Sequence, residues 1–231
     1  TGGVTDPLRQ RMAQFFSGDW GSFEHVLQHE MVHVFQFDIF SRGRAGSGLQ
    51  NLAMVNPPLW FIEGLAEYFS IGDKHPWTDA WVRDAVVNGT LPSIQMMTER
   101  PDKYFPYRYG LSVWQYVGAR WGDEVIGEIM NAVPSLGLDR AFRREIGMTL
   151  DELSEEWKQA MSAKYLPIIA DLQRPRAFAE PLLSQRRSGS ISNLFVAPAL
   201  SPDGKYISYI AYGSLLRGEV FPELYLANAQ T

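Results

Sequence analysis

Apolar residues in the first two thirds of the chain recur at three- and four-residue steps, the spacing of helices that bury one face. The clearest run is Phe23–Phe40, FEHVLQHEMVHVFQFDIF, where Val26, His29, His33 and Phe37 fall on or near one stripe with no proline or glycine inside. It predicts one long, largely buried helix over 22–41, capped by Ser22 and ended by Ser41-Arg42-Gly43-Arg44, where basic side chains and a glycine suit a helix C-terminus. Prolines followed by an apolar repeat, Asn56-Pro57-Pro58-Leu59-Trp60-Phe61-Ile62-Glu63-Gly64-Leu65-Ala66-Glu67-Tyr68-Phe69, predict a second helix over 58–71. Further helices are expected over 77–88, 107–121, 123–132 and 137–146, with a short one from Thr5 to Phe16 that Gly18–Gly21 breaks. Thr149-Leu150-Asp151-Glu152 reads as a capping box for a last helix through Lys164, stopped by Pro167.

The C-terminal part changes character. Arg174-Pro175-Arg176 and Ser184–Ser190 are linker-like, and Ser201-Pro202-Asp203-Gly204 is turn chemistry leading into the alternating strand Tyr206-Ile207-Ser208-Tyr209-Ile210. The expected fold is mainly α with a short C-terminal β segment: a helical domain over 1–173, a linker over 174–190 and a β segment over 191–231.

The chemistry enters with His29-Glu30-Met31-Val32-His33. Positions i and i+4 of an α-helix lie about 40° apart around the axis and about 6 Å along it, so two imidazoles at that offset can grip one ion from a single face. Glu30 beside them can take a proton from a metal-activated water. The plainer reading is a buried helix that happens to carry two histidines. A hydrolytic zinc site needs three protein ligands and an open position. Of the remaining histidines, His25 lies one turn before His29, but three histidines stacked along one helix spread over about 12 Å, so it reads as a residue behind the ligands or in the core. His75, in the turn-like Gly72-Asp73-Lys74-His75-Pro76, reads as exposed. A carboxylate is the better third ligand. Glu63 and Glu67 are again i and i+4 in an otherwise apolar helix, where unpaired buried carboxylates are costly; zinc for Glu63 and a histidine N–H for Glu67 would satisfy both. A surface pair near a helix start is the alternative.

HEMVH followed by WFIEGLAEYF resembles the gluzincin metallopeptidases, the broad group containing thermolysin and the aminopeptidase N-like enzymes, whose second motif reads approximately W-L-N-E-G-x-A-E-Y. The resemblance implies a gluzincin-like helical metallopeptidase domain in which His29, His33 and Glu63 bind Zn2+, Glu30 is general base and proton shuttle, and Glu67 orients a ligand histidine. Phe61-Ile62 replaces the usual Leu-Asn, and the 29 residues between His33 and Glu63 exceed the spacing of aminopeptidase N-like enzymes, a length the Ser41–Gly48 loop can absorb. Pro106-Tyr107-Arg108-Tyr109-Gly110 is similar to the Y-x-x-G segment of that group, which puts Tyr107 in the oxyanion-stabilising role with Tyr109 as the reserve. The activity so implied is hydrolysis of peptide bonds in a peptide or protein substrate, with an endopeptidase favoured because no Gly-x-Met-Glu-Asn motif is visible. Gluzincins also carry a small sheet before the HExxH helix; the residues before His29 do not read as strands, so that sheet is expected upstream. The C-terminal segment, with Glu223–Asn228, looks like the first blade of a TolB-like β-propeller or a lone hairpin, and a blade implies a natural chain continuing past Thr231 and a protein partner for the propeller.

Composition narrows little further. Among 231 residues, 45% hydrophobic with seven tryptophans and thirteen phenylalanines supply an ample core, and a net charge of −5 without a Lys/Arg cluster argues against nucleic acid. No apolar run approaches the roughly 20 residues of a membrane span. The absence of cysteine removes thiolate ligands and is compatible with a periplasmic or extracellular location, and the Thr-Gly-Gly start suggests a processed piece. A catalytically weak scaffold acting with the propeller as an interaction module is the other reading of the same residues.

Overall fold

The computed structural model describes residues 2–6, 11–41, 56–170, 172–173, 177–182, 196–212 and 222–229. They fall into two compact units, Thr1–Asp171 and Leu172–Thr231. The linker-like stretches 174–176 and 184–190, and the 42–48 part of the Gly/Arg/Ser-rich loop, lie outside the described residues.

The first unit opens on a hairpin where the sequence predicts a helix. Strands β1 (Gly3–Asp6) and β2 (Arg11–Gln14) pair antiparallel, Gly3 opposite Gln14 and Asp6 opposite Arg11. The expectation that no strand precedes His29 is therefore corrected. Glycine and threonine are weak helix formers, and packing decides the matter. β1 lies so close to the next helix that a Cβ at Gly3 would come within 2.8 Å of Glu30 Cγ.

Helix α1 (Trp20–Ser41) follows, starting two residues earlier than expected. Its cap is Asp19 rather than Ser22: the Asp19 carboxylate accepts from the Ser22 backbone N–H at 2.6 Å. Only one face is buried, through His29, Glu30, His33, Gln36 and Phe40, while Trp20, Leu27, Met31 and Phe35 are exposed. The helix is thus less buried than expected, since among the described residues its buried side chains lie on that one face.

Helices α2 (Leu59–Ile71), α3 (Pro76–Val87), α4 (Ile94–Glu99), α5 (Pro106–Trp121), α6 (Asp123–Leu136), α7 (Leu138–Ile146) and α8 (Leu150–Ile169) complete the unit. The short α4, which periodicity does not announce, is opened by the Ser93 hydroxyl accepting from the Met96 N–H. His75 does the same for α3, accepting from the Thr78 N–H, so it is half-buried rather than simply exposed. The capping box of α8 is present, with Thr149 and Glu152 bonding reciprocally. Two helices outrun their expected ends: Pro134 and Pro167 lie within final turns, where each gives up one backbone bond and the helix ends two residues later.

Helices α2 and α5 cross at two glycines. A Cβ on Gly110 would sit 2.2 Å from the Trp60 carbonyl oxygen, and one on Gly64 would sit 2.3 Å from the Gly110 carbonyl carbon. Backbone therefore rests on backbone, a separation no side chain permits. Around this crossing Trp60, Phe61, Trp114 and Phe142 are fully buried, with Phe61 and Trp114 ring centroids 5.1 Å apart. The buried indole N–H groups all find acceptors: Trp60 on Thr98, Trp114 on the Phe61 carbonyl and Trp157 on Ser112.

The second unit contains an antiparallel sheet of β3 (Val196–Leu200), β4 (Tyr206–Tyr212) and β5 (Pro222–Asn228), in that order. The Ser-Pro-Asp-Gly turn forms as expected: Gly204 adopts φ +69° and the Ser201 hydroxyl accepts from the Tyr206 N–H. Ile207, Tyr209 and Ala211 are buried along β4 in period two. Among the described residues no helix is long and apolar enough to cross a membrane.

Candidate metal centre

The helical period puts His29 and His33 one above the other on the buried face of α1, and α2 lies against that face. His29 Nε2 and His33 Nε2 are 3.2 Å apart, and Glu63 Oε2 lies 3.2 Å from the first and 3.4 Å from the second. Three donor atoms thus form a nearly equilateral triangle. Ligands bound at about 2.0–2.1 Å around a tetrahedral ion lie about 3.3–3.4 Å apart, so these residues could hold a metal ion without moving. The fourth direction carries no donor from the triangle.

Each histidine has a polar side chain behind it, an ion-pair partner for His29 and a hydrogen-bond partner for His33. His29 Nδ1 faces Glu67 Oε1 at 3.1 Å, and the Arg108 guanidinium donates to Glu67 Oε2 at 2.8 Å. His33 Nδ1 donates to Gln36 Oε1 at 2.7 Å, while Gln36 Nε2 donates to the Ile62 carbonyl at 2.9 Å. His25 reaches Glu67 Oε1 at 3.3 Å and stays outside the triangle. His25, His29 and Glu67 form a second cluster of ligand-type atoms, but Arg108 already balances its carboxylate.

The electrostatics agree with a site built for a cation. Burial disfavours charge on His29, yet Glu63 and Glu67 overcome it and raise its pKa to about 9. Burial likewise opposes ionisation of Glu63, and the two histidines nonetheless hold it down to about 2. Glu67 is pushed in the same direction: burial raises it, and His25, His29 and Arg108 lower it well below the usual carboxylate range.

Glu30 is buried and lines the same cavity as His29, and the Thr5 hydroxyl of β1 donates to its Oε2 at 2.5 Å. Tyr107, in the first turn of α5, stacks on the His29 ring with centroids 5.7 Å apart and planes 19° from parallel. Burial, then the charge of Glu63 and a hydrogen bond to it, push the Tyr107 hydroxyl up, so it stays protonated at neutral pH. Tyr109 does not share the site: it is buried and packs edge-on against Trp81. A cavity of about 310 Å³ lies beside these groups, lined by Val26, His29, Glu30, Phe105, Tyr107 and Arg108 among others.

The structure therefore brings together His29, Glu30, His33, Glu63, Glu67 and Tyr107. Three supporting residues escape sequence reading. Gln36 carries a legible hint, since it falls one turn beyond His33 on the same face; Arg108 looks like a surface cation between two tyrosines; Thr5 gives no hint at all. No family model, curated protein or solved structure matches the chain, so its chemistry rests on this geometry.

Proposed function

We propose that the helical unit is a zinc-dependent peptidase. The observation that carries this reading is the triangle of His29 Nε2, His33 Nε2 and Glu63 Oε2, with edges of 3.2–3.4 Å, beside a carboxylate and a cavity. Two imidazoles and one carboxylate suit zinc better than the all-oxygen shells of calcium or magnesium. When bound, zinc supplies a Lewis acid that polarises a carbonyl and lowers the pKa of water from 15.7 toward about 7. Gln36 hydrogen-bonds His33 at Nδ1 and Glu67 forms an ion-pair contact with His29 at Nδ1, leaving both Nε2 atoms for the ion. Glu30 accepts the proton of the attacking water and delivers it to the leaving amine. Thr5 ties down one oxygen of that carboxylate, and the other lies against Gly3 of the same strand. Tyr107, kept protonated by its surroundings, donates to the oxygen that gains negative charge.

A second reading, a metal-binding scaffold with little turnover, draws on one observation: Glu30 is 5% exposed and lies beneath β1. Metal analysis of the purified protein together with cleavage of a peptide library separates the two. The peptidase reading expects about one zinc per chain and cleavage that falls by two or more orders of magnitude in Glu30→Gln with zinc retained. Zinc without Glu30-dependent cleavage supports the scaffold, and a metal-free protein that refuses added zinc removes both.

A further inference from the structure

A glutamine with no exposed surface sits one turn beyond His33. The carboxamide of Gln36 has two partners on different helices, His33 Nδ1 on α1 at 2.7 Å and the Ile62 carbonyl on α2 at 2.9 Å. A carbonyl oxygen only accepts, so the amide nitrogen must face Ile62 and the amide oxygen must face His33. An oxygen acceptor there requires the hydrogen of the neutral ring on Nδ1. The lone pair then belongs to Nε2, the atom 3.2 Å from His29 Nε2 and 3.4 Å from Glu63 Oε2. A lone pair aimed at a second ring nitrogen and an anionic oxygen is unfavourable unless a cation or a proton lies between them. Ile62 is also the residue immediately before Glu63. One buried side chain thus orients a ligand on α1 and grips the backbone that carries a ligand on α2.

We propose that Gln36 is a positioning residue of the metal centre: it holds His33 as the Nδ1–H tautomer and sets the separation of His33 from Glu63 before any ion arrives. This rests on the metal-site reading above. Its consequence is preorganisation. Without Gln36 the His33 ring can turn about its side-chain bonds and exchange tautomers, and the Ile62 carbonyl loses its second partner. The ion then has to order the site as it binds, and affinity falls.

The test uses the whole chain stripped of metal and titrated with Zn2+ or Co2+. Gln36→Met keeps length and volume but cannot donate and accepts only weakly through sulfur; Gln36→Glu keeps a full acceptor for His33 Nδ1. Gln36→Met is expected to weaken zinc about 10–100-fold and to shift the visible absorption of bound Co2+, while Gln36→Glu, which keeps the His33 contact but loses the bond to the Ile62 carbonyl, weakens zinc less than Gln36→Met. Two-bond 1H–15N spectra of the zinc-loaded protein should show a slowly exchanging His33 Nδ1–H in wild type and Gln36→Glu, and rapid exchange in Gln36→Met. A folded Gln36→Met with wild-type zinc affinity, Co2+ spectrum and Nδ1–H overturns the proposal. Should Gln36→Met fail to fold, Gln36→Glu decides, and loss of its slowly exchanging Nδ1–H overturns it equally. Wild type that takes up neither ion removes the metal reading itself, a result distinct from an unaffected Gln36→Met.

Discussion

Gly110→Ala places one methyl group at the crossing that brings α2 and α5 together, and its sign is opposite to what helix propensity predicts. The added Cβ would lie 2.2 Å from the Trp60 carbonyl oxygen and 3.0 Å from both the Trp60 carbonyl carbon and Gly64 Cα. Ordinary contact needs about 1 Å more at the oxygen, and the three nearest atoms are all backbone, so the helices must separate rather than a side chain step aside. Overpacking of this kind costs typically 1–3 kcal/mol, here toward the upper end, against about 1 kcal/mol gained by replacing a helical glycine with alanine. A net loss of about 2 kcal/mol lowers the Tm of a unit this size by roughly 4–8 °C. Gly127 in α6 is the internal control. It is exposed and its Cβ would meet nothing within 4 Å, so Gly127→Ala should raise Tm by roughly 2–4 °C. Glu63 adjoins Gly64, and Tyr107 lies one turn before Gly110, so the same displacement widens the donor triangle. Zinc affinity, read by competition with a chromophoric chelator, should therefore weaken by about an order of magnitude in Gly110→Ala and not in Gly127→Ala. Thermal unfolding followed by circular dichroism decides it: a Gly110→Ala protein as stable as Gly127→Ala would refute the backbone-to-backbone crossing.

Other expectations follow from the same contacts. His29, raised to about 9 from 6.5, adds stability to the metal-free protein that is full below pH 6.5 and is lost as pH climbs through 9. Glu63, lowered to about 2 from 4.5, adds stability that is full above pH 4.5 and is lost as pH falls through 2. The metal-free Tm should thus peak between about pH 4.5 and 6.5, and a Tm still rising from pH 7 to 9 would contradict the His29 assignment. Zinc needs His29 neutral, so its association constant should rise about tenfold per pH unit between pH 6.5 and 8.5; calorimetry in buffers of different ionisation enthalpy counts the proton released. Glu67→Ala strips the partner of Arg108 and His29, and should cost about 3 kcal/mol and weaken zinc about tenfold, both measurable by denaturant unfolding and metal competition. Thr149→Ala breaks the capping box of α8 and should lower Tm by roughly 2–4 °C while leaving zinc affinity unchanged.

Local chemistry made much of this protein legible in one dimension. A period of 3.6 announced helices over 22–41, 58–71 and 107–121, which form within two residues of those bounds, the capping box announced α8, and the Ser-Pro-Asp-Gly turn announced the strand β4. His29, His33, Glu63 and Glu67 stood out because i, i+4 spacing is a property of one helix, readable without knowing its neighbours. Tertiary structure alone decided what depends on contacts between elements. The hairpin at 3–14 forms because β1 packs on α1 against a helix tendency too weak to resist. The 3.2–3.4 Å triangle exists because α1 lies against α2, and no spacing along the chain encodes those distances. Gln36, Arg108 and Thr5 acquire their roles from partners 26, 41 and 25 residues away, so their meaning appears only when the chain has closed on itself.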